Sequence, residues 1–299
     1  MNRKHGYVIT NGYINNQKFN EVTQLYIEAA DKLNIKLESI TTDEITYGID
    51  KGEVSVKGFD YELGDFIIFL DKDIRLAKTL ESKGIRLFNS SSVIEVCDDK
   101  SATFFALAGG GIAMPKTVVA PLVFPRTYQE EDAFIQLVEK ELTYPFIIKE
   151  SFGSFGEQVY MVHNLEELKA KRKELAYMPH IYQEFVTNSR GRDVRVHVVG
   201  DKVVASMLRT SSIDFRANIS SGGSMERIEL PLSFETLARK SARLIGADFV
   251  GVDLLFGEGE EPILCEINSN AHIKNILECT GVNVADYIMA YIQKEVYDV

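Results

Sequence analysis

The sequence lacks the features that mark several large classes of protein. It has only three cysteines, Cys97, Cys265 and Cys279, which are far apart and do not have the spacing of a metal site. No run approaches the roughly 18 apolar residues that a membrane-spanning helix needs. The first ten residues, MNRKHGYVIT, lack the apolar stretch of a signal peptide. We therefore expect reduced thiols, a cytoplasmic location and no membrane partner.

Dense basic runs are also missing. The formal net charge is −11, from 33 Lys and Arg against 44 Asp and Glu. A nucleic-acid-binding surface needs clustered cations to neutralise phosphates, so we expect no nucleic-acid partner. The first predicted strand is not followed by a Gly-rich dinucleotide fingerprint, which argues against a nicotinamide site.

The chain length of 299 residues predicts two or three domains. Residues 7–92 alternate strand and helix signals, as in DFIIFL and DIRLAKTLESKG, and predict a small α/β domain with crossover helices. From Thr117 onward, paired strands separated by helices favour α+β units with antiparallel sheets. We place the domains at 1–92, 93–185 and 186–299. The fold class is therefore α/β followed by α+β, and the sequence leaves a homo-oligomer open.

Two apolar runs near the carboxyl terminus, FVGVDLLF and PILCEIN, each carry one carboxylate. A Gly/Glu-rich turn joins them, and the pattern predicts a β-hairpin. If the turn is centred between Gly259 and Glu260, Asp253 lies directly opposite Glu266. Two like charges so placed repel each other, and leaving either one buried without a partner is costly.

Strand alternation adds a third oxygen ligand beside this carboxylate pair. Glu266 and Asn268 share one face, whereas Cys265 and Ile267 are expected to point into the core. Two carboxylates and an amide oxygen suit a hard cation such as Mg²⁺, with phosphate oxygens completing the shell. The alternative is that Lys or Arg side chains from elsewhere neutralise both acids, and the hairpin alone does not separate the two interpretations.

Three other segments offer groups that a bound triphosphate needs. Lys149 ends the apolar strand YPFIIKE, and the loop after it contains Gly153 and Gly156, whose backbone N–H groups could close over phosphates. Lys100 falls in the first turn of a predicted helix, where the helix dipole disfavours a cation and hints at an anionic ligand. Taken singly, Lys149 is better explained as a solvated strand end, and the two glycines are better explained as a plain hairpin turn.

Polar groups in later strands and loops complete a candidate nucleotide site. The extended segment IYQEFV offers adenine a backbone donor and acceptor, flanked by Gln183 and Glu184. In DVRVHVV, Asp193 could accept a ribose hydroxyl. The polar loop DFRANISSGGS carries two donors that suit a γ-phosphate or an acyl-phosphate leaving group, Arg216 and Asn218.

In this order, these segments resemble the ATP-grasp fold, and within it the RimK-like amino-acid ligases. The similar stretches are DDK before a helix, PFIIKE, YQEFV, GRDVRVHVVGDKVVA, DFRANISSGG and CEINSNAHIKNILECTGVNVADYI. They cover roughly residues 90–299, whereas the first 90 residues are compatible with the family's preceding domain but carry no motif. The resemblance implies an N-terminal α/β (pre-ATP-grasp) domain followed by two α+β subdomains that enclose ATP.

The resemblance also implies roles for individual residues. The implied ATP contacts are Lys100, Lys149, Gly153, Gly156, Gln183, Glu184, Phe185, Asp193, Arg216 and Asn218. The implied ligands of Mg²⁺, or of Mn²⁺ in its place, are Asp253, Glu266 and Asn268. The implied substrate contacts are Asn270 and His272. The arginines that would stabilise a tetrahedral oxyanion are Arg209 and Arg216.

The activity that the resemblance implies is ATP-dependent ligation of an amine to a carboxylate through an acyl phosphate. The partners would be an amino-acid donor, such as glutamate, and a carboxylate acceptor that is a peptide, a protein tail or a small molecule. The alternatives are a carboxylase-type or small-metabolite ligase of the same fold, and a non-catalytic ATP-binding module. Two departures from the family pattern, Ala271-His272 after NSN and two phenylalanines in SFGSFGEQ, bear on substrate identity. The candidates for a general base are His197 and His272.

Overall fold

The computed structural model describes residues 4–14, 17–129, 133–153, 156–218 and 222–297. Within these ranges the chain forms three main sheets and one separate hairpin, flanked by helices. None of the helices in the described ranges is long and apolar enough to cross a membrane.

The strands and helices are numbered separately in chain order. The strands are β1 (Lys4–Thr10), β2 (Ile35–Thr41), β3 (Thr46–Asp50), β4 (Glu53–Lys57), β5 (Phe66–Leu70), β6 (Leu87–Phe88), β7 (Thr117–Val119), β8 (Phe146–Glu150), β9 (Val159–Val162), β10 (His180–Glu184), β11 (Arg192–Val199), β12 (Lys202–Thr210), β13 (Ser224–Arg227), β14 (Phe249–Phe256) and β15 (Pro262–Asn268). The helices are α1 (Gln17–Lys32), α2 (Ile74–Ser82), α3 (Ser91–Asp98), α4 (Lys100–Leu107), α5 (Ala133–Glu141), α6 (Leu165–Glu174), α7 (Leu232–Ile245), α8 (Ile273–Thr280) and α9 (Val284–Tyr297).

The first sheet is parallel, with the strand order β2-β1-β5-β6. The apolar run FIIFL forms β5, and all five of its residues are buried, as expected of a strand covered on both faces. The α/β prediction for this part of the chain is therefore confirmed. The hairpin of β3 and β4 was not predicted, because its residues are mostly exposed and carry little hydrophobic pattern.

The second sheet is antiparallel, with the order β7-β10-β8-β9. Its buried side is formed by large apolar residues of β8 and β10, including Phe146, Ile148 and Tyr182. Helices α5 and α6 cover them with Val138 and Leu168. The paired strands predicted from the sequence are confirmed here.

The third sheet is also antiparallel and has the order β13-β12-β11-β14-β15. Val194, Val196 and Val198 of β11 pack with Phe234 and Ala238 of α7 in a dry core. The charged residues that alternate with these valines point to the opposite face, because strand residues alternate sides. Strand β13 follows the polar loop and was not predicted.

The three sheets fall within the three segments predicted from the sequence, and the boundaries at residues 92 and 185 stay predictions. Packing crosses both of them. Val93 and Leu107 share a core with residues of the third sheet, and helices α8 and α9 pack against α1. The carboxyl ends of β1 and β5 and the charged side of the third sheet border the same cleft.

Candidate functional site

A cleft of about 760 Å³ lies where the three sheets meet. Its wall includes the carboxyl ends of β1 and β5, parts of β8 and β10, and the charged face of the third sheet. All of the predicted ATP contacts, metal ligands, substrate contacts and oxyanion-stabilising arginines line this one cleft, whereas the candidate base His197 does not. Their shared location is an observation, whereas their individual roles stay predictions.

The strand register of the third sheet arranges the charged face in rows. Asp253 lies directly opposite Glu266 across β14 and β15, which confirms the pairing predicted from the hairpin. On the other side of Asp253 lies Arg195 of β11. In the neighbouring row, Asp193 of β11 lies opposite Arg209 of β12.

Two arginines neutralise Asp253. Arg195 donates from Nε to Oδ1 and from Nη2 to Oδ2, the second at 2.6 Å, and Arg209 Nη2 lies 2.9 Å from Oδ2. Burial by itself would raise the pKa of this carboxyl, but the two guanidinium groups hold it well below its usual range. For Asp253, therefore, the structure supports the alternative interpretation in which arginines balance the buried charge.

Asp193 is engaged in the same network. Arg209 donates from Nε to Oδ1 at 2.6 Å and from Nη2 to Oδ2 at 2.8 Å. Both oxygens of Asp193 therefore accept a charged hydrogen bond, and the predicted ribose contact would have to share them. The guanidinium of Arg209 lies between two acids, so its predicted catalytic role would compete with holding Asp193 and Asp253 in place.

Glu266 differs from Asp253, because no Lys or Arg within the described ranges forms an ion pair with it. Its Oε1 accepts only a 3.2 Å hydrogen bond from Asn268 Nδ2. A carboxylate offers about four lone-pair positions, and the arginines use three of those on Asp253. Glu266 and Asn268, with the remaining position on Asp253, fit a hard divalent cation in donor chemistry.

Ligands from outside the protein would be needed to complete such a shell. Among the described residues, no three His, Cys, Asp or Glu side chains form a metal-binding cluster. The fit therefore depends on two acids and one amide oxygen, as the sequence predicted, together with oxygens from a bound anion.

Cys265 lies in the cleft, and the prediction that it points into the core was wrong. The register between β14 and β15 shifts by one residue after Asp253, which marks a β-bulge. The bulge places Leu264 and Ile267 in the core and leaves Cys265 Sγ 3.8 Å from Lys149 Nζ. Burial raises the pKa of the Cys265 thiol to about 11.

Lys100 and Lys149 are two buried cations in the cleft wall, only 9% and 7% exposed. Lys100 begins α4, whose N-terminus is capped by Asp99, and its Nζ donates to the Gly153 carbonyl at 3.1 Å. Burial lowers the pKa of Lys100, and nearby Glu266 acts in the opposite direction. Two ammonium groups buried near each other favour an anion between them, because charged groups are rarely left unpaired in low dielectric.

The predicted adenine segment lies at the rim between the second and third sheets. Gln183 is buried and its side chain donates to Thr117 Oγ1 at 2.9 Å. Glu184 is exposed, and Phe185 makes an edge-to-face contact with Phe215 at 6.2 Å. The three predicted residues thus line the cleft with one polar, one charged and one aromatic side chain.

The glycine loop approaches the polar loop that carries Arg216. Arg216 pairs with Asp214 and also donates to the Gly156 carbonyl. Gly156 has a φ of +75°, which favours glycine, and a Cβ there would lie 2.8 Å from Asn218 Oδ1. Phe152 of this loop is half exposed, whereas residues 154–155 and 219–221 lie outside the described residues.

The two predicted substrate residues follow strand β15. Asn270 Nδ2 donates to the Leu70 carbonyl at 2.8 Å, so its amide ties this loop to the end of β5. His272 contacts Phe19 edge-to-face, and its buried Nδ1 has no hydrogen-bond partner among the described residues. Burial lowers the pKa of His272, and the positive charges of Lys18 and Arg195 lower it further.

His197 is the weaker of the two candidates for a general base. It is buried and does not line the cleft. Burial lowers the pKa of His197 to about 3, so the ring is neutral at physiological pH. These properties match a core residue.

Sequence reasoning missed two groups of cleft residues. Arg195 was overlooked, although the alternation in DVRVHVV places it on the same face as Asp193. The first sheet contributes a second group at the ends of β1 and β5, namely Thr10, Asn11, Leu70, Asp71 and Lys72. These residues carry no motif, and only the strand order shows that the two strand ends are adjacent.

Comparisons with known proteins agree with this geometry. A family model for the RimK-like ATP-grasp domain matches residues 97–292. The uncharacterized protein MG012 of Mycoplasma genitalium is 32% identical over 88% of this chain and 90% of its own length. Glutamate–LysW ligase ArgX of Sulfolobus acidocaldarius is 28% identical over 79% of this chain and 84% of its own. A solved structure of the ATP-grasp ligase PsnB, complexed with a phosphomimetic variant of minimal precursor, Mg and ADP, is similar over 97% of both chains, with a TM-score of 0.67 and 16% identity.

Proposed function

The chain belongs to the RimK-like ATP-grasp family of ADP-forming carbon–nitrogen ligases, and we propose that it joins an amino acid to a carboxylate through an acyl phosphate. The amino acid proposed first is glutamate, since ArgX is named as a glutamate ligase. The acceptor is a carboxylate on a peptide, a protein tail or a small molecule.

One observation carries this proposal. Two buried lysines, Lys100 and Lys149, share a cleft with Glu266, whose carboxylate has no Lys or Arg partner among the described residues. This combination of fixed cations and an available acid is what a metal-bound triphosphate requires. A purely structural charge cluster would be expected to pair these groups directly with each other.

The protein's own residues would act by position and charge. Glu266 and Asn268, with one oxygen of Asp253, would hold Mg²⁺, which would supply charge neutralisation at the phosphates. Lys100 and Lys149 would neutralise phosphate oxygens beside this metal site. Gln183, Glu184 and Phe185 would line the adenine pocket, and Asp193 would reach the ribose.

The bond-forming steps follow from the acyl-phosphate route. The acceptor carboxylate oxygen attacks the γ-phosphorus of ATP, and ADP leaves. The amine then attacks the acyl carbon, the C–O bond to phosphate breaks, and amide and inorganic phosphate are produced after the amine loses a proton. Arg216 and Asn218 would contact the transferred phosphoryl group, and Asn270 and His272 would border the substrates.

The test is ADP release measured with Mg²⁺ and ATP across a matrix of amino acids and carboxylates. Turnover that needs both an amine and a carboxylate supports the proposal. Turnover that needs bicarbonate would instead select a carboxylase-type ligase, and nucleotide binding without turnover in every combination would select a binding module.

An isotope experiment tests the acyl phosphate separately. With an acceptor labelled with ¹⁸O in its carboxylate, one labelled oxygen should appear in the inorganic phosphate. Amide formation without label in the phosphate would overturn the acyl-phosphate route while leaving ligation intact.

A further inference from the structure

The carboxyl ends of β1 and β5 form a part of the cleft wall that has no role in the steps above. Strands β2 and β5 lie on opposite sides of β1, so the direction of the strand order reverses between β1 and β5. Parallel sheets bind ligands beyond the carboxyl ends of their strands at such a reversal. Asn11 follows β1 and Asp71 follows β5, and both line the cleft.

Asp71 has one satisfied and one unsatisfied carboxylate oxygen. Its side chain is only 6% exposed. Oδ1 accepts from the backbone N–H groups of Lys72 at 2.5 Å and Asp73 at 2.9 Å. Oδ2 is buried and has no hydrogen-bond partner among the described residues. Buried carboxylate oxygens are seldom left without a partner, so the unsatisfied oxygen calls for a ligand.

The neighbouring cation does not fill this role. Lys72 directs its ammonium to Asp98 in an ion pair. No Lys, Arg or His among the described residues pairs with Asp71 within ion-pair distance. Asp71 therefore lines the cleft with a carboxylate that no cation among the described residues balances.

The residues before and after Asp71 in the chain lie next to the segment that carries the predicted metal ligands Glu266 and Asn268. The preceding carbonyl, Leu70 O, accepts the 2.8 Å hydrogen bond from Asn270, two residues beyond Asn268. The following residue, Lys72, lines a small pocket of about 20 Å³ together with Glu266 and Asn268. Asp71 thus lies where the end of β5 meets the part of the cleft wall that carries Glu266 and Asn268.

We propose that Asp71 binds and orients the ammonium group of the amino-acid donor, an inference that rests on the proposed ligase function. A carboxylate attracts an ammonium group and repels the acceptor carboxylate. The donor is the one substrate that must carry an amine, and an amino acid carries it protonated at neutral pH. Because the turn fixes Oδ1, the bound ammonium would approach Oδ2 from a defined direction.

The variant Asp71→Asn tests this role with little change in shape. Asparagine keeps an oxygen for the two backbone N–H groups and replaces the unsatisfied oxygen with an amide nitrogen. We expect the KM for the amino acid to rise at least tenfold, with the KM for ATP and for the carboxylate within about twofold of wild type. The matched control is Asp73→Asn, because Asp73 caps α2 in the same turn but does not line the cleft.

Hydroxylamine separates this inference from the ligase proposal. It is uncharged at neutral pH and captures an acyl phosphate as a hydroxamate without needing an ammonium site. Wild type and Asp71→Asn should form hydroxamate equally from the acceptor carboxylate, and amino acids should raise the melting temperature of the nucleotide-bound wild type more than that of the variant.

Each other outcome has a defined meaning. An unchanged KM for the amino acid in Asp71→Asn, with normal hydroxamate formation, overturns the role of Asp71 and leaves the ligase standing. Loss of hydroxamate formation in a variant that melts like wild type overturns the assignment to the donor, because that reaction needs no amino acid. A wild type that forms no hydroxamate with any carboxylate overturns the acyl-phosphate ligase and this inference with it.

Discussion

Glu266 lies in the cleft wall beside a cluster of paired charges, and its own carboxylate has no Lys or Arg partner among the described residues. We predict that Glu266→Gln lowers turnover by about 100-fold or more, because it removes a charge from the metal site while keeping the shape. Steady-state ADP release measures the loss. Binding of Mn²⁺ with a non-hydrolysable ATP analogue, followed by electron paramagnetic resonance, should weaken in parallel.

The control for this change is Glu258→Gln, since Glu258 is exposed in the turn of the same hairpin. Both variants should melt at nearly the wild-type temperature. If Glu266→Gln instead failed to fold while Glu258→Gln folded normally, the carboxylate would be a structural group.

Gly251 has little space for a side chain at the point where β14 passes the loop after β15. A Cβ there would lie 2.3 Å from Ala271 Cβ and 3.3 Å from Arg195 Cδ. We predict that Gly251→Ala destabilises the fold by about 1–3 kcal/mol through overpacking and raises the KM for substrate, because the loop carrying His272 must move. Urea denaturation and substrate titration measure the two effects.

Gly48→Ala is the matched control, because the same construction at this strand glycine meets nothing within 4 Å. An equal response of the two variants would show that loss of glycine itself, and not the contact with Ala271, sets the cost.

At the scale of a sheet, the charged face of β11, β12 and β14 is a network whose members neutralise one another. Arg209 is 6% exposed and pairs with both Asp193 and Asp253. We predict that Arg209→Leu costs about 3–5 kcal/mol, since it leaves Asp193 as a buried charge without its partner. Chemical denaturation measures the cost, and adding Asp193→Asn to the variant should recover part of it.

An exposed pair provides the comparison. Arg243 pairs with Asp201 on the surface, where both side chains are about two-thirds exposed. Arg243→Leu should therefore change stability by less than about 1 kcal/mol. Similar losses of stability in the two variants would contradict the expectation that burial makes the ion pairs of Arg209 contribute more to stability than an exposed pair.

Strand β15 shows how far local sequence determines an element. The predicted pairing of Asp253 with Glu266 is present, but the turn alone does not set it. The pairs beside the turn, such as Phe256 with Pro262, centre it on Gly259 and would place Asp253 opposite Cys265, and a bulge shifts the register by one residue. The bulge at Cys265 was not predictable from alternation, since nothing in PILCEIN distinguishes a regular strand from one with an extra residue. The bulge lets Cys265 and Glu266, which are consecutive, both line the cleft.

For the whole molecule, Asn89 joins the first sheet to the third. Its Nδ2 donates to the carbonyls of Phe249 and Ser269, and its Oδ1 accepts from the N–H groups of Asp248 and Phe249. We predict that Asn89→Ala destabilises the protein by about 2–4 kcal/mol, because buried backbone groups on β14 and after β15 lose their partners. Denaturant unfolding measures this loss, and turnover should fall because the loop at Ser269 borders the cleft.

Asn188→Ala is a suitable comparison, since the Asn188 side chain makes one hydrogen bond, to the Gly257 carbonyl, in a partly buried position. It should cost about 1 kcal/mol. If Asn89→Ala cost no more than Asn188→Ala, the connection between the two sheets would depend on apolar packing instead.

The sequence by itself determined the types of the main elements and many of the residues that line the cleft, including Asp253 and Glu266. Periodicity, turns and the order of short motifs are local properties, and they can be read without knowing what lies beside them. Tertiary structure alone decided that Arg195 and Arg209 neutralise Asp253 and that the end of β5 brings Asp71 to the cleft. These contacts join residues far apart in the chain, and burial, which sets the energy of each charge, exists only after the sheets have packed.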